Sequence, residues 1–521
     1  MNPQSLSLDE AMRLAGQYAK QGNATAAAEL YQRVLAHSPQ HKKARKALRA
    51  LQKSAGPETS LQADLERLLQ LYQGGHLDRA IAEAKRLSRV YPDQPLPLNI
   101  TGAIEAIREN HEKAVEYYQR ALVIEPNFLG ALNNLGVAFE RLGRHDQAID
   151  CFRKVIAGRP DDAEVHYNLG SALRYTGLLK ESVESYLRSI DLRPMVANTH
   201  VHLGLALMEM NRSREAIITF QSALKFEPAL VEAHEYIGDA YRELAQQETA
   251  ISWYQKTISL DPGRAGAQFK LGKMLLEQGR REEAAEFLKR SLELEPDSAE
   301  IQYFVAAAEN RTPDIAPRQY ISTLFDGYAA RFDEHLVKGL EYSAPQQLRQ
   351  LVSDSGAIEV PVDTAIDLGC GTGLVGAAFR DLCRHLVGVD LSSKMIARAG
   401  EKQVYDALHE GDLVDIMDRL DKTFDLFLSA DTLIYIGYLA TLLGAIGEHS
   451  RRGSLFAFTT ESATGAEVEL RPSGRYAHSR EYVLKTAADA GFELLRFEEM
   501  NLRKEGLVWI PGGYYLMEFK G

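Results

Sequence analysis

The sequence predicts an α-solenoid followed by a doubly wound α/β domain. Three observations carry that expectation. Prolines recur every 34 residues through the first three-fifths of the chain. From residue 362 onward, short apolar runs alternate with helical stretches. The first of those runs ends in an acid and a glycine turn, Ala365-Ile366-Asp367-Leu368-Gly369-Cys370-Gly371-Thr372-Gly373.

A chain of 521 residues needs at least two domains, and 45% apolar content lets each bury a core. The net charge of −12 argues against a general nucleic-acid binder. Cys151, Cys370 and Cys383 lack metal-ligand spacing, so no metal site is expected. Their odd number suits a reducing compartment. Cys370 reads as a small side chain that fits the turn. Met1-Asn2-Pro3-Gln4-Ser5 has no basic region, and no window reaches the roughly 18 apolar residues of a membrane span. The expectation is a soluble, cytoplasmic protein.

The repeat is dense. Pro92, Pro126, Pro160, Pro194, Pro228, Pro262 and Pro296 keep the interval, and so do Gly102, Gly136, Gly170, Gly204, Gly238 and Gly272. Ala80, Ala114, Ala148, Ala216, Ala250 and Ala284 follow it, with Ser182 at the one departing step. Aromatics stand four residues later at Tyr118, Phe152, Tyr186, Phe220 and Tyr254. Small residues let two antiparallel helices approach, the ring fills the gap, and proline ends the second helix. This pattern resembles the tetratricopeptide repeat. A unit at 8–41 carries Tyr18, Gly22, Ala27, Tyr31 and Pro39, and the charged segment His41–Lys53 separates it from the next. About eight repeats are expected over 1–310, with a capping helix at 298–310. Such arrays bury their apolar faces by stacking and present a concave groove. Asn133, Glu140, Tyr167, Arg174, Glu209, Asp239 and Arg242 should face it, either as a solvated surface or as a site for a protein or peptide.

Arg311–Pro317 reads as a linker. Leu324-Phe325-Asp326-Gly327-Tyr328-Ala329-Ala330-Arg331-Phe332-Asp333-Glu334-His335-Leu336 follows, then a helix near 343–353. This gives a lid segment at 311–354 and a sheet domain at 355–521. Apolar runs at 364–368, 385–390, 424–430 and 454–460 bracket helical stretches, which means a parallel sheet with helices on both faces.

The glycine turn lets the backbone pass close to a ligand. Gly371-Thr372-Gly373-Leu374-Val375-Gly376 matches a dinucleotide fingerprint, but Asp367 would repel a pyrophosphate and suits an ammonium. S-adenosylmethionine carries both an ammonium and a sulfonium. Asp390 follows about twenty residues on, where an acid can accept from ribose hydroxyls. Glu410-Gly411-Asp412-Leu413 can meet an adenine, and the strand Phe424–Ser429 carries Asp431 to the same crevice. Each acid also has a plainer use: Asp367, Asp390 and Asp431 as caps, Asp412 as a turn.

These segments, in this order, resemble the class I S-adenosylmethionine-dependent methyltransferases over about residues 312–521. The chain as a whole resembles bacterial methyltransferases that carry a repeat array, and the run at 324–336 is similar to their pre-domain segment. The resemblance implies a Rossmann-like, seven-stranded sheet with a reversed last strand, supplied by 492–500 and 513–519 around the turn Pro511-Gly512-Gly513. It implies that Asp367, Gly369, Cys370, Gly371 and Gly373 surround the methionine part of the cofactor. Asp390 with Leu391 would hold the ribose, and Asp412 with Leu413 the adenine. Ser429, Asp431 and Tyr328 complete the cofactor set. Methyl transfer to an oxygen or nitrogen acceptor then needs alignment and, for some acceptors, a base. Candidate bases are His478 and Glu461, while Arg471 and Arg475 could clamp an anion. Tyr328 and Phe332 are either a lid or ordinary packing. The array would take a protein or peptide, or a second copy of the chain. Two other readings stay open: a scaffold whose sheet domain binds ligand without catalysis, and a nicotinamide oxidoreductase.

Overall fold

The computed structural model describes residues 8–21, 23–54, 57–329, 332–358, 360–505 and 508–521. The N-terminal Met1–Ser5, Gly22, Ala330 and Arg331 lie outside them. The chain divides into two compact units, Met1–Ala240 and Tyr241–Gly521.

The first unit is made of helices of about a dozen residues, beginning with Leu8–Lys20 and Ala24–His37. The paired helices Leu96–Ile107/His111–Ile124, Leu129–Arg141/His145–Gly158, Ala163–Tyr175/Leu179–Leu192 and Ala197–Glu209/Ser213–Phe226 pack as hairpins. The repeated glycines are explained by the rings opposite them. A Cβ on Gly102, Gly136, Gly170 or Gly204 would stand 2.7, 2.6, 2.8 or 2.3 Å from Tyr118, Phe152, Tyr186 or Phe220. Ser182, the one departure from alanine, is fully buried and its Oγ donates to Gly170 O at 2.7 Å. The charged segment after the first unit is itself a helix, Lys42–Ser54, which packs against Ala24–His37 through Ala44. Its many lysines and arginines hid a short apolar stripe.

The second unit starts with the last repeat helices, including Ala265–Glu277, Arg281–Leu294 and Ala299–Ala308. The expected cap, Ala299–Ala308, buries seven of its residues and packs on the sheet domain rather than facing water. The Tyr303 hydroxyl donates to Gly474 O at 3.0 Å, and Tyr303 and Phe304 stack edgewise against each other beside Tyr320. Helix Arg318–Tyr328 and the short turn Phe332–Gly339 follow, then helix Ala344–Ser355.

Among the described residues the sheet has nine strands: β1 (Val362–Leu368), β2 (Cys383–Asp390), β3 (Ala407–Glu410), β4 (Phe424–Ser429), β5 (Ser450–Ser462), β6 (Val468–Leu470), β7 (Tyr476–His478), β8 (Phe492–Glu505) and β9 (Val508–Phe519). β3, β2, β1, β4 and β5 run parallel in that order, β9 pairs antiparallel with β5, and β8 pairs antiparallel with β9. Seven strands thus form the expected sheet with one reversed strand, and the hairpin β6–β7 adds two more against the end of β5. Pro511-Gly512-Gly513 is not a turn: it lies inside β9, where Gly512 opposes Glu461 and leaves room for Leu502. The strand order reverses between β1 and β4, which is where open parallel sheets bind ligands. Among the described residues, no helix is long and apolar enough to cross a membrane.

Candidate functional site

A cavity of about 400 Å³ opens at that reversal. Its floor follows the strand order. Asp412 and Leu413 come after β3, Asp390 and Leu391 end β2, Gly369, Cys370 and Gly371 follow β1, and Asp431 follows β4. Its roof is the segment before the sheet, with Phe325, Tyr328, Phe332 and Leu336.

The turn after β1 is built from residues that need left-handed backbone. Gly369, Gly371 and Gly373 have φ of +79°, +53° and +90°. At Gly371 an added Cβ would meet nothing nearer than Phe332 at 3.9 Å, so the space beside it is open to the cavity. Asp390 holds the turn: its Oδ2 accepts from Gly371 N–H at 2.9 Å and its Oδ1 from Ser392 N–H at 2.8 Å. Burial pushes the Asp390 carboxyl up, and those two amides oppose the shift. The cap of the next helix is Ser392, whose Oγ accepts from Met395 N–H at 3.1 Å. Asp390 is therefore free of the capping role. Asp412 does cap its helix, accepting from Val414 and Asp415 N–H, while its other oxygen meets Arg318 at 3.0 Å.

Three residues expected at the cofactor lie beneath the cavity instead. Asp367 is fully buried, and its Oδ2 accepts from the Tyr405 hydroxyl at 2.6 Å. Its Oδ1 is buried without a partner, and burial pushes its carboxyl up to about 7. Tyr405 also accepts from Gly376 N–H at 3.2 Å, and a Cβ on Gly376 would fall 2.3 Å from the ring. Asp367 thus reaches the backbone after the glycine turn through Tyr405 and does not line the cavity. Gly373 faces Tyr405 too. Ser429 is buried, and its Oγ donates to Leu368 O at 2.9 Å, tying β4 to β1.

The two candidate bases are also off the cavity. His478 is buried, with Nε2 at 2.9 Å from both Ile436 O and Gly437 O, so that nitrogen carries the hydrogen. Its Nδ1 is buried with no partner, and burial lowers its proton affinity. Glu461 accepts from Arg503 on one oxygen and from Arg471, at 2.6 Å, on the other. Both of its oxygens are thus taken by guanidiniums.

Sequence reasoning missed several residues. The acids of the 324–336 run fasten the roof: Asp326 accepts from Ser392 Oγ and Lys394 N–H, while Asp333 accepts from Thr372 Oγ1 and from Lys402 Nζ at 2.6 Å. Tyr342, Tyr435 and Arg503 also line the cavity, beside Arg475, which the sequence had offered as an anion clamp. The signal for the roof acids was their place in the 324–336 run. For Arg503 there was none.

The domain identities follow from matches along the chain. The model described as a methyltransferase domain matches residues 366–458, which hold the turn, Asp390, Asp412 and Asp431. Models of the tetratricopeptide repeat match 102–143, 133–195, 202–265 and 245–308. The chain joins tetratricopeptide repeats to a methyltransferase domain. Two relatives are similar to it. Malonyl-[acyl-carrier protein] O-methyltransferase of Pectobacterium atrosepticum is 28% identical over 153 residues, 29% of this chain and 57% of that protein. The enzyme of the same name from Enterobacter lignolyticus is 24% identical over 188 residues, 35% of this chain and 70% of that one. The match thus spans little more than half the length of the first relative. A solved MamA fragment from Desulfovibrio magneticus, 22% identical, aligns with 33% of this chain and 96% of its own, at a TM-score of 0.31.

Proposed function

We propose that the methyltransferase domain uses S-adenosylmethionine to methylate an oxygen or nitrogen acceptor, and that the repeats recruit a protein or peptide. The observation carrying this reading is the cavity floor. An acid after β3, an acid ending β2 and an open glycine turn after β1 lie in the order of an adenine, a ribose and an amino-acid tail. Adjacent strands stand roughly 4.8 Å apart, so the two steps from β3 to β1 cover about 10 Å, a span on the scale of an extended nucleoside.

When bound, this cofactor supplies a methyl carbon on a positively charged sulfur. The chain's residues do the rest. Asp390 accepts from ribose hydroxyls with the lone pairs its two amides leave free. Asp412 and Leu413 border the adenine, with Arg318 fixing the carboxylate of Asp412. The open flank of Gly371 admits the cofactor's tail. The aromatic roof, pinned by Asp326 and Asp333, excludes water. Asp367, His478 and Glu461 act as internal supports. In functional terms the repeat array (1–310), the roof segment (311–354) and the sheet domain (355–521) divide the work. The O-methylation in the two relatives' names favours an oxygen acceptor.

Calorimetry on the full chain with S-adenosylmethionine and with S-adenosylhomocysteine tests the reading. Both should bind at one site per chain, and label from methyl-labelled cofactor should pass to a fraction of bacterial lysate. Binding of neither ligand would refute it. Binding without transfer to any fraction would leave a scaffold with a ligand-binding domain.

A further inference from the structure

The cavity floor continues past the glycine turn to the end of β4, and there the chain places a group that no cofactor contact accounts for. Asp431 holds a left-handed backbone, φ +61°, a conformation that non-glycine residues keep only when their surroundings enforce it. Two contacts enforce it here. Its N–H donates to Thr459 Oγ1 at 2.9 Å, and its Oδ1 accepts from Nη1 of Arg503, itself 2% exposed. Among the described residues nothing bonds to Asp431 Oδ2. Beside it, Tyr342 is 7% exposed and lines the same cavity, and among the described residues its hydroxyl has no hydrogen-bond partner either.

The charges around this end are already matched. Arg503 pairs with Asp431, Glu461 and Glu505, Arg471 with Glu461, and Arg475 with Glu505. Three guanidiniums meet three carboxylates. Among the described residues at this end of the cavity no guanidinium is left unpaired for an anionic acceptor, and the free lone pairs belong to a carboxylate.

Resting on the reading above, which puts the reactive end of the cofactor beyond β1, we propose that Asp431 Oδ2 binds the methyl acceptor through its O–H or N–H. The acceptor is then a hydroxyl or an amine, and a carboxylate is disfavoured. Arg503 is the positioning residue that holds Oδ1 and aims Oδ2. Burial pushes the Asp431 carboxyl up against the pull of Arg503.

The test compares two ligands by calorimetry on the full chain. S-adenosylhomocysteine is neutral at sulfur, whereas sinefungin carries an ammonium on carbon where the cofactor carries its S-methyl. A carboxylate facing that position should make sinefungin bind at least about 10-fold tighter, roughly 1.4 kcal/mol. Asp431→Asn should cut the ratio to within about 2-fold and leave S-adenosylhomocysteine unchanged, because asparagine tolerates the left-handed backbone. If Asp431→Asn also loses S-adenosylhomocysteine, Asp431→Gly, which fits the same φ, repeats the comparison. An unchanged ratio in the variant overturns the proposal, and so does loss of both ligands in both variants, which would make Asp431 a folding or cofactor element. Failure of both ligands to bind the wild-type chain instead refutes the reading it rests on, whereas binding of S-adenosylhomocysteine without sinefungin overturns the proposal. Label transferred by the wild type should resist mild alkali, as an ether or N-methyl group does. Release as methanol, the behaviour of a methyl ester, also overturns the proposal.

Discussion

The repeats and the methyltransferase domain both depend on regularly placed glycines, for opposite reasons. In the repeats the missing side chain makes room for protein: the Phe220 ring occupies the place where a Cβ of Gly204 would stand, 2.3 Å away. In the turn after β1 the missing side chain keeps space open, and the nearest atom to a Cβ on Gly371 is 3.9 Å off. The first kind of glycine is about stability and the second about a ligand. Substitution should therefore separate folding from binding.

The largest effect is expected at the turn. Gly371→Asn keeps a residue that tolerates φ +53°, so the melting temperature should fall by only a few degrees. Its side chain would enter the cavity. Calorimetric affinity for S-adenosylhomocysteine should drop at least about 100-fold, roughly 2.7 kcal/mol. Retained affinity would mean that the open flank does not serve the cofactor.

Next comes the filled kind. Gly204→Ala places a methyl group into the Phe220 ring, and such overpacking costs about 1–3 kcal/mol, offset by up to about 1 kcal/mol of helix propensity. Denaturant unfolding should report a net loss, with cofactor affinity unchanged. Adding Phe220→Leu, the side-chain type that Leu288 places opposite Gly272, should recover part of that loss through a positive coupling in the double-mutant cycle. Two strictly additive losses would contradict the geometry.

This contrast also explains what could be read in advance. Gly204 and Phe220 stand 16 residues apart, and a glycine and a ring recur at that spacing from Gly102–Tyr118 to Gly238–Tyr254, so the repeat advertises itself. The turn after β1 is contiguous, and its glycines and Asp390 were legible for the same reason. Side-chain pairs across the fold left no such trace. Asp367 meets Tyr405 from 38 residues away, and Arg503 reaches Asp431 across 72. The chemistry of Asp367, Glu461 and His478 was visible, but residue type does not reveal whether a side chain's partners are already inside the protein. The β6–β7 hairpin went unread because its two strands have three residues each, too few to display a period.

Asp367 gives the third prediction, a pH dependence belonging to the support rather than the ligand. Its carboxyl is pushed up to about 7 by burial, whereas an unfolded aspartate titrates near 3.9. The folded state thus binds the proton more tightly. The stabilisation is complete below about pH 4 and is lost as pH rises through about 7. From this group alone, unfolding free energy should fall with pH across that window, by on the order of 1 kcal/mol per pH unit. Asp367→Asn should flatten the slope, read from denaturant melts at pH 5, 6 and 7. A slope that survives the substitution would assign it to other buried acids.

The smallest effect is expected where the repeats break their own pattern. Ser182 stands where other units carry alanine, and its hydroxyl donates to Gly170 O, a carbonyl inside a helix. Ser182→Ala removes donor and hydroxyl together, and the carbonyl keeps the helical N–H that it already accepts. Removing a hydrogen bond without stranding a buried partner is nearly neutral, in contrast to leaving a polar group unsatisfied. Unfolding free energy should move by less than about 0.5 kcal/mol, a fraction of the change at Gly204, although both residues are fully enclosed by the same array. A loss above about 1 kcal/mol would mean that the hydroxyl joins the two helices of its hairpin as firmly as the glycine–ring contact does, and that the small residues of this array are chosen for bonding as well as for size.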